Sequence, residues 1–280
     1  MRKSQVGLIV FTLFGLLYTC TARDGRTSAD AERTAERLRT KINNEIRSLK
    51  SHPWAGEYYE GDGLGVGKRL VLAPASGYVF EWHGCLGLYD RNYGTIVVTN
   101  DILHLSFTFT NVQEGFQGMG SAFIPIEWGD RRYLIPTNDI VEFCNSVNLG
   151  WEPRTGIHGF HFLRKGDERK LVGGLPKVPS GFENYFLKKP VTAKIIAVKH
   201  SSMRPSIASG EFRDTFVTLN AGAKQGLLPG MKLCATGLRT ESLVLTKIEE
   251  DQSEGRITQM EEDPAPESGW VFSTRLQSEL

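Results

Sequence analysis

Trp54-Ala55-Gly56-Glu57-Tyr58-Tyr59 opens the stretch that decides the fold class, because from here short alternating runs recur between glycines. A Gly61-Asp62-Gly63-Leu64-Gly65-Val66-Gly67 turn follows, then Leu70-Val71-Leu72 and Tyr78-Val79-Phe80-Glu81-Trp82. Next come Gly94-Thr95-Ile96-Val97-Val98 and Ile102-Leu103-His104-Leu105-Ser106-Phe107-Thr108-Phe109. β-Branched and aromatic residues at period two, bounded by turn formers, predict an antiparallel meander, either a curved sheet or a small barrel. Residues 128–136 read as a hairpin around Gly129-Asp130, with Pro136 ending its second strand. One helix interrupts the sheet. Thr137 or Asn138 can cap it, Ile140, Phe143, Cys144 and Val147 form its apolar face, and Gly150 can end it. Residues 160–164 resume strand, and a Gly/Pro-rich connector over 173–181 marks a nearby domain boundary.

Beyond Pro190 about six further strands fall within ninety residues, starting at Val191, Phe216, Met231, Leu243, Arg256 and Trp270. That is the material of a small closed barrel. Upstream, residues 28–50 carry Ala31, Ala35, Leu38, Ile42, Ile46 and Leu49 at spacings of three or four. This narrow stripe predicts a helix that packs lightly on a domain, pairs with another helix, or stands as a spacer. The expected architecture is mainly β: an N-terminal helix, a meander or small barrel with one inserted helix, and a small C-terminal β-barrel. Its expected boundaries are 1–22 (signal peptide), 23–52 (helical spacer), 53–187 and 188–280.

Arg2 and Lys3 precede an apolar run over residues 6–18, too short for a comfortable membrane span and matching a secretory signal. Two exits are open. Cys20-Thr21-Ala22 suits cleavage before Arg23, whereas Leu17-Tyr18-Thr19-Cys20 resembles a bacterial lipobox, which would make Cys20 the lipidated first residue. An uncleaved anchor is the third option. The expected location is therefore the periplasm or, for a lipoprotein, the outer membrane.

Hydrophobic residues at 40% and charged residues at 23% exclude a wholly disordered chain of 280 residues. The 33 Lys and Arg nearly cancel 32 Asp and Glu, so no global field favours nucleic acid. Removing Arg2 and Lys3 takes the balance to a formal −1, which leaves no polybasic anchor to reinforce a lipid. Three cysteines remain after export: Cys85, Cys144 and Cys234. A Cys85–Cys144 disulfide with one free thiol is one reading in an oxidising compartment, and three buried thiols is the other.

Motifs that would fix a chemistry are sparse. The glycine turn at 61–67 lacks the Lys-Ser/Thr ending of a phosphate-binding loop and reads as a hairpin. His158 and His161, three apart on a strand, point to opposite faces, so no metal and no cofactor are expected. The densest polar cluster is Glu81, His83, Cys85, Tyr89 and Asp90, with His104 across the sheet; Cys144 with His158 or His161 is the other thiol candidate. Neither carries a motif that sets mutual geometry. Trp128, Arg131, Arg132 and Tyr133, with Trp151 and Arg154, offer guanidinium and ring groups suited to an interface, a carboxylate or a sugar.

Residues 217–233, Val-Thr-Leu-Asn-Ala-Gly-Ala-Lys-Gln-Gly-Leu-Leu-Pro-Gly-Met-Lys-Leu, resemble the small β-barrel modules of cell-shape MreC-type and flagellar FlgT-type envelope proteins. Gly222, Gly226 and Gly230 relieve turns there and Pro229 presets one. The resemblance implies assembly or scaffolding and transfers no catalytic residue. Trp54-Ala55-Gly56-Glu57-Tyr58 is similar to the first strand of small lipoprotein barrels related to the copper-stress sensor NlpE. Their Cys-x-x-Cys is replaced by glycines here, so no metal or redox role carries over. The expected function is non-catalytic binding or scaffolding, with an envelope protein or cell-wall component as partner and membrane anchoring through the N-terminus. The alternatives are a hydrolase or thiol enzyme centred on Cys85, His83 and Asp90, or a small-ligand carrier.

Overall fold

A computed structural model describes residues 25–61, 67–109, 112–113, 116–117, 119–153, 161–205, 211–237 and 241–276. Cys20, Arg154 and His158 lie outside the described residues. The chain is mainly β, as expected, and both sheets close.

The first barrel has eight strands: β1 (Gly56–Gly61), β2 (Gly67–Ala73), β3 (Gly77–Gly84), β4 (Gly87–Thr99), β5 (Ile102–Phe107), β8 (Ala122–Trp128), β9 (Arg131–Pro136) and β10 (Phe162–Arg164). A two-stranded ladder, β6 (Val112–Gln113) and β7 (Phe116–Gln117), sits in the β5–β8 connection. Around the barrel the order is β1-β10-β9-β8-β5-β4-β3-β2, and every pairing is antiparallel. Period two sorts the side chains. Leu70 and Leu72 of β2 and Tyr78 and Phe80 of β3 join Tyr58, Leu103, Phe123, Leu134 and Phe162 in the interior. Val71, Ala73 and Val79 point the other way. Large apolar side chains thus fill the barrel, each contributing roughly 1.5–3 kcal/mol of burial. Strand curvature depends on Gly94, where an added Cβ would fall 1.8 Å from the Ser106 carbonyl oxygen.

Helix α1 (Gly25–Ser48) lies along β2 and β3, with Ala35 and Ile42 buried against Val71, Ala73 and Val79. It does not stand away as a spacer, because its polar edge is fastened too. Arg39 Nη2 meets Glu81 Oε2 at 2.7 Å, Arg91 Nε meets Glu81 Oε1 at 3.0 Å, and the Ala75 amide donates to Glu45 at 2.8 Å.

Helix α2 (Ile140–Leu149) covers the opposite wall, with Ile140, Phe143, Cys144 and Val147 packed on Ile124, Ile126, Tyr133 and Ile135. Gly150 ends it at φ +88°, and the Gly150 and Trp151 amides close back on Val147 and Ser146, as a left-handed glycine cap requires. The helix begins after Asp139 without a side-chain cap, rather than at Thr137 or Asn138.

The second barrel closes six strands in the order β11-β12-β15-β14-β13-β16: β11 (Thr192–Pro205), β12 (Glu211–Leu219), β13 (Lys232–Ala235), β14 (Ser242–Ile248), β15 (Ser253–Met260) and β16 (Val271–Ser273). Its interior is filled by residues such as Ile195, Leu219, Leu233, Leu245, Ile257 and Phe272.

Two asparagines on the polar side of α2 join the barrels. Asn145 donates through Nδ2 to the Gly230 carbonyl and accepts from the Lys232 amide, both at 3.0 Å. Asn148 donates to the Tyr185 carbonyl at 2.7 Å and accepts from the Leu187 amide at 3.1 Å. Each carboxamide holds a donor and an acceptor of the neighbouring backbone, as a β partner would.

Candidate functional site

The Trp and Arg face read from the sequence is not a free surface. Trp128, Arg131 and Tyr133 are all buried. Each instead fastens a neighbouring loop. Trp128 Nε1 donates to Gly174 at 3.0 Å, Arg131 Nε to Lys170 at 2.8 Å, and Tyr133 Oη to Pro153 at 2.9 Å. Arg131 also meets Glu152 at 3.2 Å, and the Arg132 amide donates to buried Asp167 at 3.0 Å. Trp151 is half-buried behind the α2 cap. Aromatic and guanidinium groups were needed here because the long connector after β10 brings polar backbone against the β8–β9 hairpin, and that backbone needs partners.

The Cys85–Cys144 disulfide is not formed. Cys85 is exposed in the β3–β4 turn, whereas Cys144 is a buried thiol on α2, and Cys234 is a half-buried free thiol in the second barrel. Burial pushes the Cys144 thiol up to about 12. His161, buried with its ring 5.4 Å from that of Phe143, is pushed down to about 4 by the same cause. An un-ionised buried thiol and a neutral imidazole packed on an aromatic ring are core packing rather than a nucleophile and its base.

Of the Glu81, His83, Cys85 and Asp90 cluster, His83 Nε2 lies 3.6 Å from Glu81 Oε2, but the imidazole and Asp90 are separated. A bulge places Trp82 opposite Asp90 and His83 opposite Leu88, so the imidazole and Asp90 lie on different faces of the ladder. Burial raises the Glu81 carboxyl, but hydrogen bonds and charge from Arg39 and Arg91 outweigh it and hold it below the usual carboxylate range. His104 is exposed on β5. Among the described residues no group of three or more His, Cys, Asp and Glu side chains converges on a point that could hold a metal ion.

The surface that does assemble is a trench at one end of the first barrel. Its apolar half, about 520 Å³, is lined by Pro53, Trp54, Val98, Ile124, Pro125 and Val178, with Asn100, Asp101, Glu127 and Lys177 at its rim. Asn100 and Asp101, at φ +51° and +62°, form the tight two-residue turn between β4 and β5. The polar half, about 370 Å³, shares Pro53 and Glu127 and adds His52, Asp130, Arg132, Arg164 and Lys170. Most of its charges are already paired: Glu127 with Arg132 at 3.2 Å and Lys177 at 3.0 Å, and Lys170 with Asp167 at 2.6 Å. The Lys177 hydrogen bond, with help from the Arg132 charge, holds the Glu127 carboxyl below its ordinary value.

Arg164 differs from these cations. It has no ion pair among the described residues, and its guanidinium runs past Gly56, where an added Cβ would fall 2.9 Å from Nε. His52 beside it accepts the Ala55 amide through Nδ1 at 3.0 Å. Burial lowers its pKa, and the Arg164 charge adds to this against the pull of Glu45. The trench therefore offers a row of apolar contacts leading to one guanidinium with no ion pair among the described residues, with the His52 imidazole beside it.

The sequence reading missed this surface because five separate segments build it. Only the Gly/Pro-rich connector over 173–181 was visible, and it does not point to Arg164. No family model matches the chain, and no curated protein or solved structure matches it. Among the described residues no helix is long and apolar enough to cross a membrane.

Proposed function

We propose that this is an exported binding module of the bacterial cell envelope, tethered through its N-terminal segment, that takes an extended, carboxylate-bearing segment of an envelope protein in the trench. The observation that carries this reading is Arg164: a cation with no ion pair among the described residues, at the end of an apolar groove. Such a layout suits a peptide whose apolar side chains lie along Val98, Ile124 and Val178 while its carboxylate meets the guanidinium. Both barrel interiors are filled by the protein's own side chains, which favours a surface function over carriage of an enclosed ligand. The resemblance of residues 217–233 to envelope scaffolding modules points the same way.

The test is photocrosslinking in living cells from position 98, whose valine is 50% exposed at the trench rim. The expected result is a discrete protein adduct that disappears in Arg164→Glu and persists in Arg47→Glu, a change on α1. An adduct insensitive to Arg164→Glu, or captured cell-wall fragments in place of a protein, would refute this partner assignment.

A further inference from the structure

We infer that the turn between β3 and β4 is a membrane-contacting tip, and that a lipid bilayer is what covers it. Leu86 is 91% exposed, the highest value among the large hydrophobics of the described residues, and Leu88 beside it is 41% exposed. Below them Trp82 and Tyr89 pack edge to face with ring centroids 5.7 Å apart. Charges share the level of the rings: Asp90 lies opposite Trp82, and Lys68, whose ammonium is 5.5 Å from the indole centroid, pairs with Glu60 at 2.8 Å. One rung further from the turn Arg91 pairs with Glu81 at 3.0 Å. An apolar tip above a level of aromatic rings and charges is the order in which a bilayer presents hydrocarbon and then its polar interface.

The direction of α1 says which way this tip faces. Glu45 meets Ala75 just before β3, Arg39 meets Glu81 further along it, and Glu32, earlier still on the helix, reaches Arg91 on the strand opposite Glu81. The helix therefore runs antiparallel to β3, and its first residue, Gly25, emerges at the end of the barrel that carries Leu86. In the uncleaved form of the chain, the third of the N-terminal options, the apolar run over residues 6–18 is the tether and precedes Gly25 by only six residues. A fully extended chain from Tyr18 to Gly25 spans at most about 25 Å. If that run lies in the bilayer, the tip is held at its surface. The trench is at the other end of the barrel, since β4 starts at the Leu86 turn and ends at Asn100, so it faces away from the membrane.

This inference rests on the membrane tether proposed for the N-terminus, and the experiment separates the two. The full chain, with Cys20→Ser and Cys234→Ser, is mixed with phosphatidylethanolamine–phosphatidylglycerol vesicles and labelled on Cys85 with an environment-sensitive fluorophore. Flotation reads the tether, and quenching by spin-labelled lipids reads the turn. The expected result is flotation, with quenching at Cys85 at least about threefold stronger than for the same label on Leu175→Cys in a Cys85→Ser chain. Leu86→Ser with Leu88→Ser should abolish the difference without changing circular dichroism, because both side chains are exposed. A chain that floats while its Cys85 label is quenched no more than the Leu175→Cys label would overturn the tip and leave the tether standing. A chain that fails to float would overturn both.

Discussion

Replacing Asn145 with alanine should loosen the joint between the barrels in a way that can be read at a single amide. Asn145 is 2% exposed, and its carboxamide holds the Gly230 carbonyl and the Lys232 amide at 3.0 Å each. Truncation leaves two half-buried backbone groups without that partner, at up to about 1–3 kcal/mol each. The carbonyl can still find water more readily than the N–H, so the expected loss is about 2–4 kcal/mol. In native-state hydrogen exchange this means that the Lys232 amide exchanges roughly 30- to 1,000-fold faster. The Leu187 amide, held separately by Asn148, should be nearly unchanged, and Asn148→Ala should reverse the pattern. Urea titration of the same variants, followed by tryptophan fluorescence, distinguishes local opening from global unfolding. If Asn145→Ala leaves Lys232 protected, or if both variants affect both amides equally, the asparagines are not independent clamps and the account of the joint is wrong.

Other expectations follow from the same geometry. Glu81→Gln should release α1 at a cost of about 2–3 kcal/mol, measured by proteolysis within residues 25–48, because Arg39 and Arg91 lose their shared carboxylate. The depressed Glu81 pKa gives the pH dependence its sign. Its stabilisation is present above the ordinary Glu range, near pH 4, and is lost as pH falls through the lower folded value. The wild-type chain should therefore shed α1 at acid pH, while Glu81→Gln should show a flatter profile. Gly94→Ala should cost about 3 kcal/mol or more in thermal melts, since a Cβ 1.8 Å from a backbone oxygen forces β4 away from β5. A maleimide should modify exposed Cys85 in the native protein but reach buried Cys144 only on unfolding, as resolved by peptide mass spectrometry.

The elements were legible where local chemistry and tertiary demand agree. Leu70, Leu72, Tyr78 and Phe80 alternate with residues that face α1, so period two was visible in the chain itself. Gly150 announced the end of α2 because only a left-handed residue completes its cap. The site was less legible for a physical reason. Trp128, Arg131 and Tyr133 look like interface residues because the same groups that bind a partner also bind the chain's own loops on either side of β10, and composition cannot distinguish the two. Arg164 looks ordinary in sequence, since what sets it apart is the lack of an ion pair among the described residues. Asn145 and Asn148 are ordinary helix residues until the second barrel, for Asn145, and the connector leading to it, for Asn148, supply backbone groups for them to hold.

The filled interiors bear on where function can lie. A barrel of eight strands can enclose a small ligand only if its inward residues are small, and here tyrosine, phenylalanine and leucine occupy those positions. Walls are also committed: α1 covers β2 and β3, while α2 and the connector cover β8 and β9. The outer face of β4 and β5 stays open, with Val97 56% exposed, and so do the two ends of the barrel, which differ in character. One ends in leucines above an aromatic pair, and the other in a groove leading to a guanidinium with no ion pair among the described residues. Since β4 runs from one to the other, the barrel sets their separation rigidly, and the asparagine clamps fix the second barrel to one side. A protein built this way is suited to holding a partner at a set distance from a surface, which requires the rigidity the core provides and makes no demand on an internal cavity.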